Sequence, residues 1–275
     1  MNNDENIVAQ LRHHIQQHEA PEAVFILATT AMQYNNLFFT LSQSAAPPNA
    51  YLLLVIADAG AEQCVQMQSR LENILQAVTT VTVWCMPLSR FNAQLQQGGY
   101  FACTVLAQAE RLFTEPDAGF ITPVAVPLRN KYDNHWHQRA SEFYAGAELF
   151  VIRKQYAMAA FLLHQCAEQS FTSIVYNQCG YRPVSHNLLL LYRYACWFQP
   201  LLHILFPPLS SKEDSLLHIL QQAYTCSRYT SEYSIKGKQI GMIRKKMEVL
   251  LGVSCKLRAM SYELRAEECA MNYEL

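Results

Sequence analysis

The chain is short of charge. Only 16% of its 275 residues are Asp, Glu, Lys or Arg, against 51% hydrophobic. Helices that all face water need more than this, so part of the surface is expected to be covered, most simply by a second copy of the chain in a homodimer. Paired cysteines are missing too. Nine cysteines are scattered singly with no CxxC, which fits the reduced, mostly buried thiols of a cytoplasmic protein better than a disulfide frame. No long apolar run exists. Runs such as Tyr51 to Ala57 are far too short for a bilayer, and the polar opening Met1-Asn2-Asn3-Asp4-Glu5 does not read as a signal peptide. Also absent are a P-loop, GxGxxG, GxSxG and HExxH. His14 and His18 have no third ligand nearby, and His135 and His137, two apart, point to different sides of a helix. Neither a metal nor a cofactor is expected.

What is present divides in two. Residues 1–128 carry four Lys/Arg against ten Asp/Glu, whereas residues 129–275 carry seventeen against twelve, so −6 and +5 make up the net −1. Neither balance marks a general nucleic-acid binder. The first half opens with a helix from Glu5 to Glu19, followed by strand-like runs at Ala23–Thr29, Tyr51–Asp58 and Val78–Cys85. A helix over Ala61–Ala77 presents Val65, Leu71, Ile74 and Leu75, and another is expected to run to Phe113. The middle strand is apolar on both faces and should be central in a mixed sheet. Three prolines and a glycine over Glu115–Pro127 exclude a helix there. The expected organisation is α+β: an α/β domain over 1–114, a linker over 115–128 and an up-and-down helical bundle over 129–275.

The second half reads as helix throughout. His135–Arg153 spaces Trp136, Ala140, Phe143, Ala147 and Phe150 by fours and threes. Tyr156–Gln178 is apolar nearly all round through Leu163, hence a central helix, and Gly180 ends it. Ser185 is placed to cap a helix over His186–Phe198, and Ser210-Ser211-Lys212-Glu213 to open one reaching about Arg228. The last helix, from Lys236 to about Asn272, repeats Ile240, Ile243, Met247, Leu250, Ser254, Leu257, Ser261 and Leu264 in a heptad-like seam.

Polar groups on the central helix stand out. His164 and Glu168 share a face at i,i+4, and Gln165 meets Glu168 at i,i+3. Buried, they must be hydrogen-bonded, either as a packing network or as a ligand pocket. Arg228 and Tyr229, ending the fourth helix, could grip a phosphate or base, or Arg228 could close a salt bridge to Glu168. Arg244-Lys245-Lys246 reads as a solvated face or an RNA-contacting patch.

In order, Ala159-Ala-Phe-Leu-Leu-His-Gln-Cys-Ala-Glu168, Arg182-Pro-Val-Ser-His186 and Ser227-Arg228-Tyr229 resemble the HEPN (higher eukaryotes and prokaryotes nucleotide-binding) superfamily. The resemblance covers about half the chain. It implies a bundle of four to five helices, commonly dimeric, in a family that includes RNA-cleaving toxins. Catalytic members carry an arginine followed four to six residues later by a histidine. Here Arg228 is followed by Tyr-Thr-Ser-Glu-Tyr-Ser, so the resemblance implies the fold without ribonuclease chemistry. The first half is similar in layout to minimal nucleotidyltransferases, which often accompany HEPN domains, as in kanamycin nucleotidyltransferase. Those enzymes place Gly-Ser after the first strand and Asp-x-Asp at the second; this chain has Leu27-Ala-Thr-Thr30 and Pro48-Asn49-Ala-Tyr51. The expectation is a degenerate nucleotidyltransferase-like domain joined to a HEPN domain, acting as a non-catalytic nucleotide- or RNA-binding regulatory protein. Arg228, Tyr229, His186, His164, Gln165 and Glu168 would line the ligand site. The alternatives are an active nucleotidyltransferase, with Asp58 the one carboxylate near a strand end, or a HEPN ribonuclease of toxin–antitoxin type using His186.

Overall fold

The computed structural model describes residues 3–30, 35–38, 50–123, 133–199, 201–207, 216–226 and 233–272, with backbone alone for 3–4 and 256–272. It separates into two compact units, Met1–Arg129 and Asn130–Leu275. Among the described residues no helix is long and apolar enough to cross a membrane.

The first unit is built on a mixed sheet. β1 (Ala23–Thr29) runs antiparallel to β3 (Ala50–Ala57), and β3 runs parallel to β4 (Thr80–Pro87) in register from Ala50↔Thr80 to Ala57↔Pro87. The other edge of β1 is shared by β2 (Asn35–Asn36), paired with Ala28 and Thr29, and by β5 (Glu110–Thr114), paired with Ala23 to Ile26. Every residue of β3 is buried, as an apolar run covered on both faces requires. One face packs α1 (Asn3–His18) and α2 (Ala61–Leu75) through Leu11, Ile15, Leu71 and Leu75 against Leu53, Val55 and Val83. Sequence periodicity placed Val65 on this face, yet Val65 is exposed. The buried positions of α2 are Cys64, Met67, Leu71, Glu72 and Leu75. Glu72 turns inward because its Oε1 accepts a hydrogen bond from Val83 N at 2.9 Å, serving a backbone donor of β4 from outside the ladder.

α3 (Leu88–Gln96) and α4 (Tyr100–Gln108) follow β4. The expected helix reaching Phe113 stops at Gln108; β1 offers an open edge, and Glu110–Thr114 takes it as β5. The long-range pairing outweighs a local helical pattern there. The chain after β5 is pinned. Asn92 Nδ2 donates to Gly119 O at 2.7 Å, its Oδ1 accepts from Ile121 N at 3.2 Å, and the Phe120 ring lies 6.2 Å from Phe25 and 5.5 Å from Phe91.

The second unit comprises α5 (His135–Ile152), α6 (Tyr156–Cys179), α7 (Leu188–Cys196), α8 (Leu202–Leu205), α9 (Leu216–Cys226) and α10 (Gly237–Asn272), with α6 central and packed against α5, α7, α9 and α10. Gly180 ends α6 at φ 74°, a left-handed conformation that suits a residue without Cβ. The α10 seam is buried as its spacing predicts: Ile240, Ile243, Met247, Leu250 and Ser254 are each at most 1% exposed. Leu257, Ser261 and Leu264 lie outside the described side chains, as does the capping segment Ser210–Glu213. Polar residues tie these helices together. His137 Nδ1 meets Ser254 Oγ at 3.3 Å, Ser254 reaches Ser173 Oγ at 3.3 Å, and Asn177 donates to Ser173 Oγ at 3.2 Å. On α7, Tyr192 donates to Phe206 O at 2.8 Å and stands 3.3 Å from His203 Nδ1. Burial lowers the pKa of His203.

Candidate functional site

The 3.6-residue period of α6 puts His164 and Glu168 one turn apart, and the packing of four helices around α6 removes both from water, at 0% and 7% exposure. The segment after Gly180 then alternates. Tyr181 and Pro183 are buried while Arg182 and Val184 are exposed, so the chain crosses α6 in extended form and delivers His186 above Glu168. His186 Nδ1 lies 3.0 Å from Glu168 Oε2, with the imidazole 65% exposed and the carboxylate 10%. A carboxylate accepts only, so Nδ1 is the donor in this contact and Nε2 is turned away from it. His164 behaves otherwise. Its Nδ1 is 3.9 Å from Glu168 Oε2, beyond a hydrogen bond, and 3.2 Å from the Gln165 amide nitrogen, which donates to it. Tyr224 of α9 brings the two imidazoles together: its ring stacks on His164 at 4.6 Å and on His186 at 5.2 Å, both near-parallel.

Beside this cluster lies a cavity of about 160 Å³ lined by Trp136, Glu168, Gln169, Thr172, Ser185 and His186, with Arg182 at its rim. The Arg182 guanidinium sits 4.6 Å above the Trp136 ring, held over an aromatic face without losing its charge. A buried anion, an exposed imidazole, an exposed cation and two hydroxyls therefore share one small cleft. Such a set offers charge-assisted and hydroxyl contacts suited to a polar, phosphorylated compound.

Of the six residues expected here, His164, Gln165, Glu168 and His186 do meet. Arg228 and Tyr229 lie outside the described residues. Glu168 Oε2 is met by His186, and its Oε1 accepts from Gln169 Nε2 at 3.4 Å. The helix expected to begin at His186 begins at Leu188. Its cap is Asn187, whose side chain accepts from Leu190 N at 3.2 Å, while Ser185 Oγ accepts from Asn187 N at 3.1 Å. Leu188 N donates to Gln221 Oε1 at 2.8 Å, so these amides are engaged within the protein. Arg182, Trp136 and Tyr224 escaped the expected set. Arg182 had a signal: residues two and four apart in an extended segment face one side, which pairs it with His186.

Residues 134–257 match the HEPN domain family. The second unit contains a HEPN domain. Its core helix α6, the extended segment bearing Arg182 and His186, and the α10 seam to Cys255 all fall within the matched range. A solved structure of a nucleotidyltransferase-like protein from Exiguobacterium sibiricum is similar to this chain at 13% identity, over 90% of this chain and 74% of its own, with a TM-score of 0.31. No curated protein matches the chain.

Proposed function

We propose that this chain is a non-catalytic regulatory protein that binds a nucleotide or RNA through its HEPN domain. The observation that carries the reading is the convergence of Glu168, His186 and Arg182 on one cavity, backed by His164, Gln165 and Tyr224. Arg182 offers a forked, charge-assisted contact to a phosphate, and the ring cluster offers stacking to a base. Arg228 and Tyr229, following Tyr224 closely in the chain, would complete the site. The first unit is an inactive nucleotidyltransferase-like domain over 1–114, followed by a linker over 115–128. Tyr51 is buried in β3 where the family's acids would stand, and an aromatic ring cannot replace a metal-holding carboxylate. Two such chains form a cytoplasmic homodimer through their helical units, with exposed Leu149, Ile152, Met242 and Val249 supplying apolar surface. Titrating the protein with ATP, GTP and a short single-stranded RNA tests the reading. Binding should appear for at least one and fall at least about tenfold in Arg182→Ala; equal binding in the variant, or none to any of the three, rejects it.

A second reading rests on one contact. A buried carboxylate orienting an exposed imidazole is the base-and-orienter half of a catalytic apparatus, and Nε2 of His186 could take a proton from an RNA hydroxyl. RNA cleavage by the wild-type protein that disappears in both His186→Ala and Glu168→Gln would replace the non-catalytic reading with a ribonuclease.

A further inference from the structure

Three sulfur atoms meet in the first unit, away from the cleft. Cys64 and Met67 project from the buried face of α2, three residues apart, and Cys85 stands opposite them on β4. Cys85 Sγ lies 3.7 Å from Met67 Sδ, and Cys64, one helical turn before Met67, packs in the same core cluster. Both cysteines are free. Cys64 and Met67 are 2% and 8% exposed, whereas Cys85 is only half-buried, so the group is open to solvent on one side.

We propose that Cys64, Met67 and Cys85 form a binding site for a soft monovalent d10 cation, of which copper(I) is the physiological example. Metal–sulfur bonds of about 2.3 Å separate two ligand sulfurs by about 3.8 Å at tetrahedral angles and about 4.0 Å at trigonal ones. The observed 3.7 Å therefore needs little adjustment. The donor set decides the ion. Zinc prefers four nitrogen, oxygen or thiolate donors, and among the described residues no three of His, Cys, Asp and Glu converge. Two thiolates and a thioether, with no fourth donor, suit three-coordinate copper(I). Binding releases two thiol protons to water, leaving the filled site with one net negative charge. When the site is empty, burial pushes both thiols up, and Cys64 pushes Cys85 up further, so both stay protonated. A cation between them removes the cost of ionising side by side.

The test is an anaerobic titration of the full chain with copper(I) against bathocuproine disulfonate, reading the chelator's colour and the sulfur-to-copper charge-transfer absorption. One tight ion per chain is expected. Cys64→Ala with Cys85→Ala should abolish it, and Cys226→Ser with Cys255→Ser should keep it. Met67→Leu, which conserves volume and should leave the fold intact, should loosen it at least about tenfold. X-ray absorption of the loaded protein should show three sulfur neighbours. The proposal is overturned by a tight ion surviving loss of both cysteines, by no ion held more tightly than in that double variant, or by Met67→Leu binding as well as wild type. If the double variant does not fold, the affinity of Met67→Leu and the sulfur count decide alone.

Discussion

Two buried carboxylates, one in each unit, have opposite employment. Glu72, on α2, is 8% exposed and accepts a backbone hydrogen bond from Val83. Glu168, on α6, is 7% exposed and is engaged by an imidazole that is itself 65% exposed beside a cavity. Burial is the same, but the partner differs. A carboxylate that serves the main chain is architecture. One that faces a solvent-exposed titratable ring is open to a ligand or a proton.

This contrast can be broken in graded ways. The largest effect is expected at Glu72→Ala, which leaves Val83 N–H without its carboxylate and should cost about 1–3 kcal/mol in urea unfolding, with ligand binding unchanged. Glu168→Gln keeps the shape but loses the charge holding His186. It should shift unfolding by less than about 1 kcal/mol, because exposed His186 can turn to water, while weakening ligand affinity roughly tenfold. If instead Glu168→Gln unfolds the protein and Glu72→Ala does nothing, the two roles are reversed. Ser254→Ala interrupts the chain of contacts from His137 to Ser173 and should cost about 1 kcal/mol with no effect on binding.

The smallest effect concerns pH. His203 has its pKa lowered by burial, so as pH falls the unfolded chain takes up this proton before the folded one. Its contribution to stability is complete above the ordinary imidazole pKa and declines as pH falls from there toward the depressed folded value, with a slope of at most about 1.4 kcal/mol per pH unit. His203→Gln should flatten that part of the stability–pH curve; an unchanged slope would assign the titration to other groups.

Features with a strict local period were readable from the sequence. The α10 seam is one, since threes and fours over Ile240–Ser254 have one helical solution. β3 is another, because eight consecutive small and apolar residues need cover on both faces. The nearness of His164 to Glu168, one turn apart on α6, followed from helix geometry alone, whereas Gln165 reaches His164 rather than Glu168. What failed depended on distant partners. β5 exists because β1 had a free edge, and α7 starts late because Asn187 and Gln221 take its first amides. Glu72 looks like any surface residue of α2 until β4 arrives with Val83. Likewise, helical spacing suggested neighbours for Glu168 but could not show that an extended segment would bring His186 to it.

The pinning of Phe120 bears on how the first unit could be separated from the second. A cut placed directly after β5 would look natural, since the sheet ends at Thr114. It would nonetheless strip Phe120 from between Phe25 and Phe91, expose two buried rings and leave both amide groups of Asn92 without their partners on Gly119 and Ile121. The fragment that keeps its own hydrophobic seal extends through Ile121, so the first half of the apparent connector belongs, energetically, to the sheet it follows.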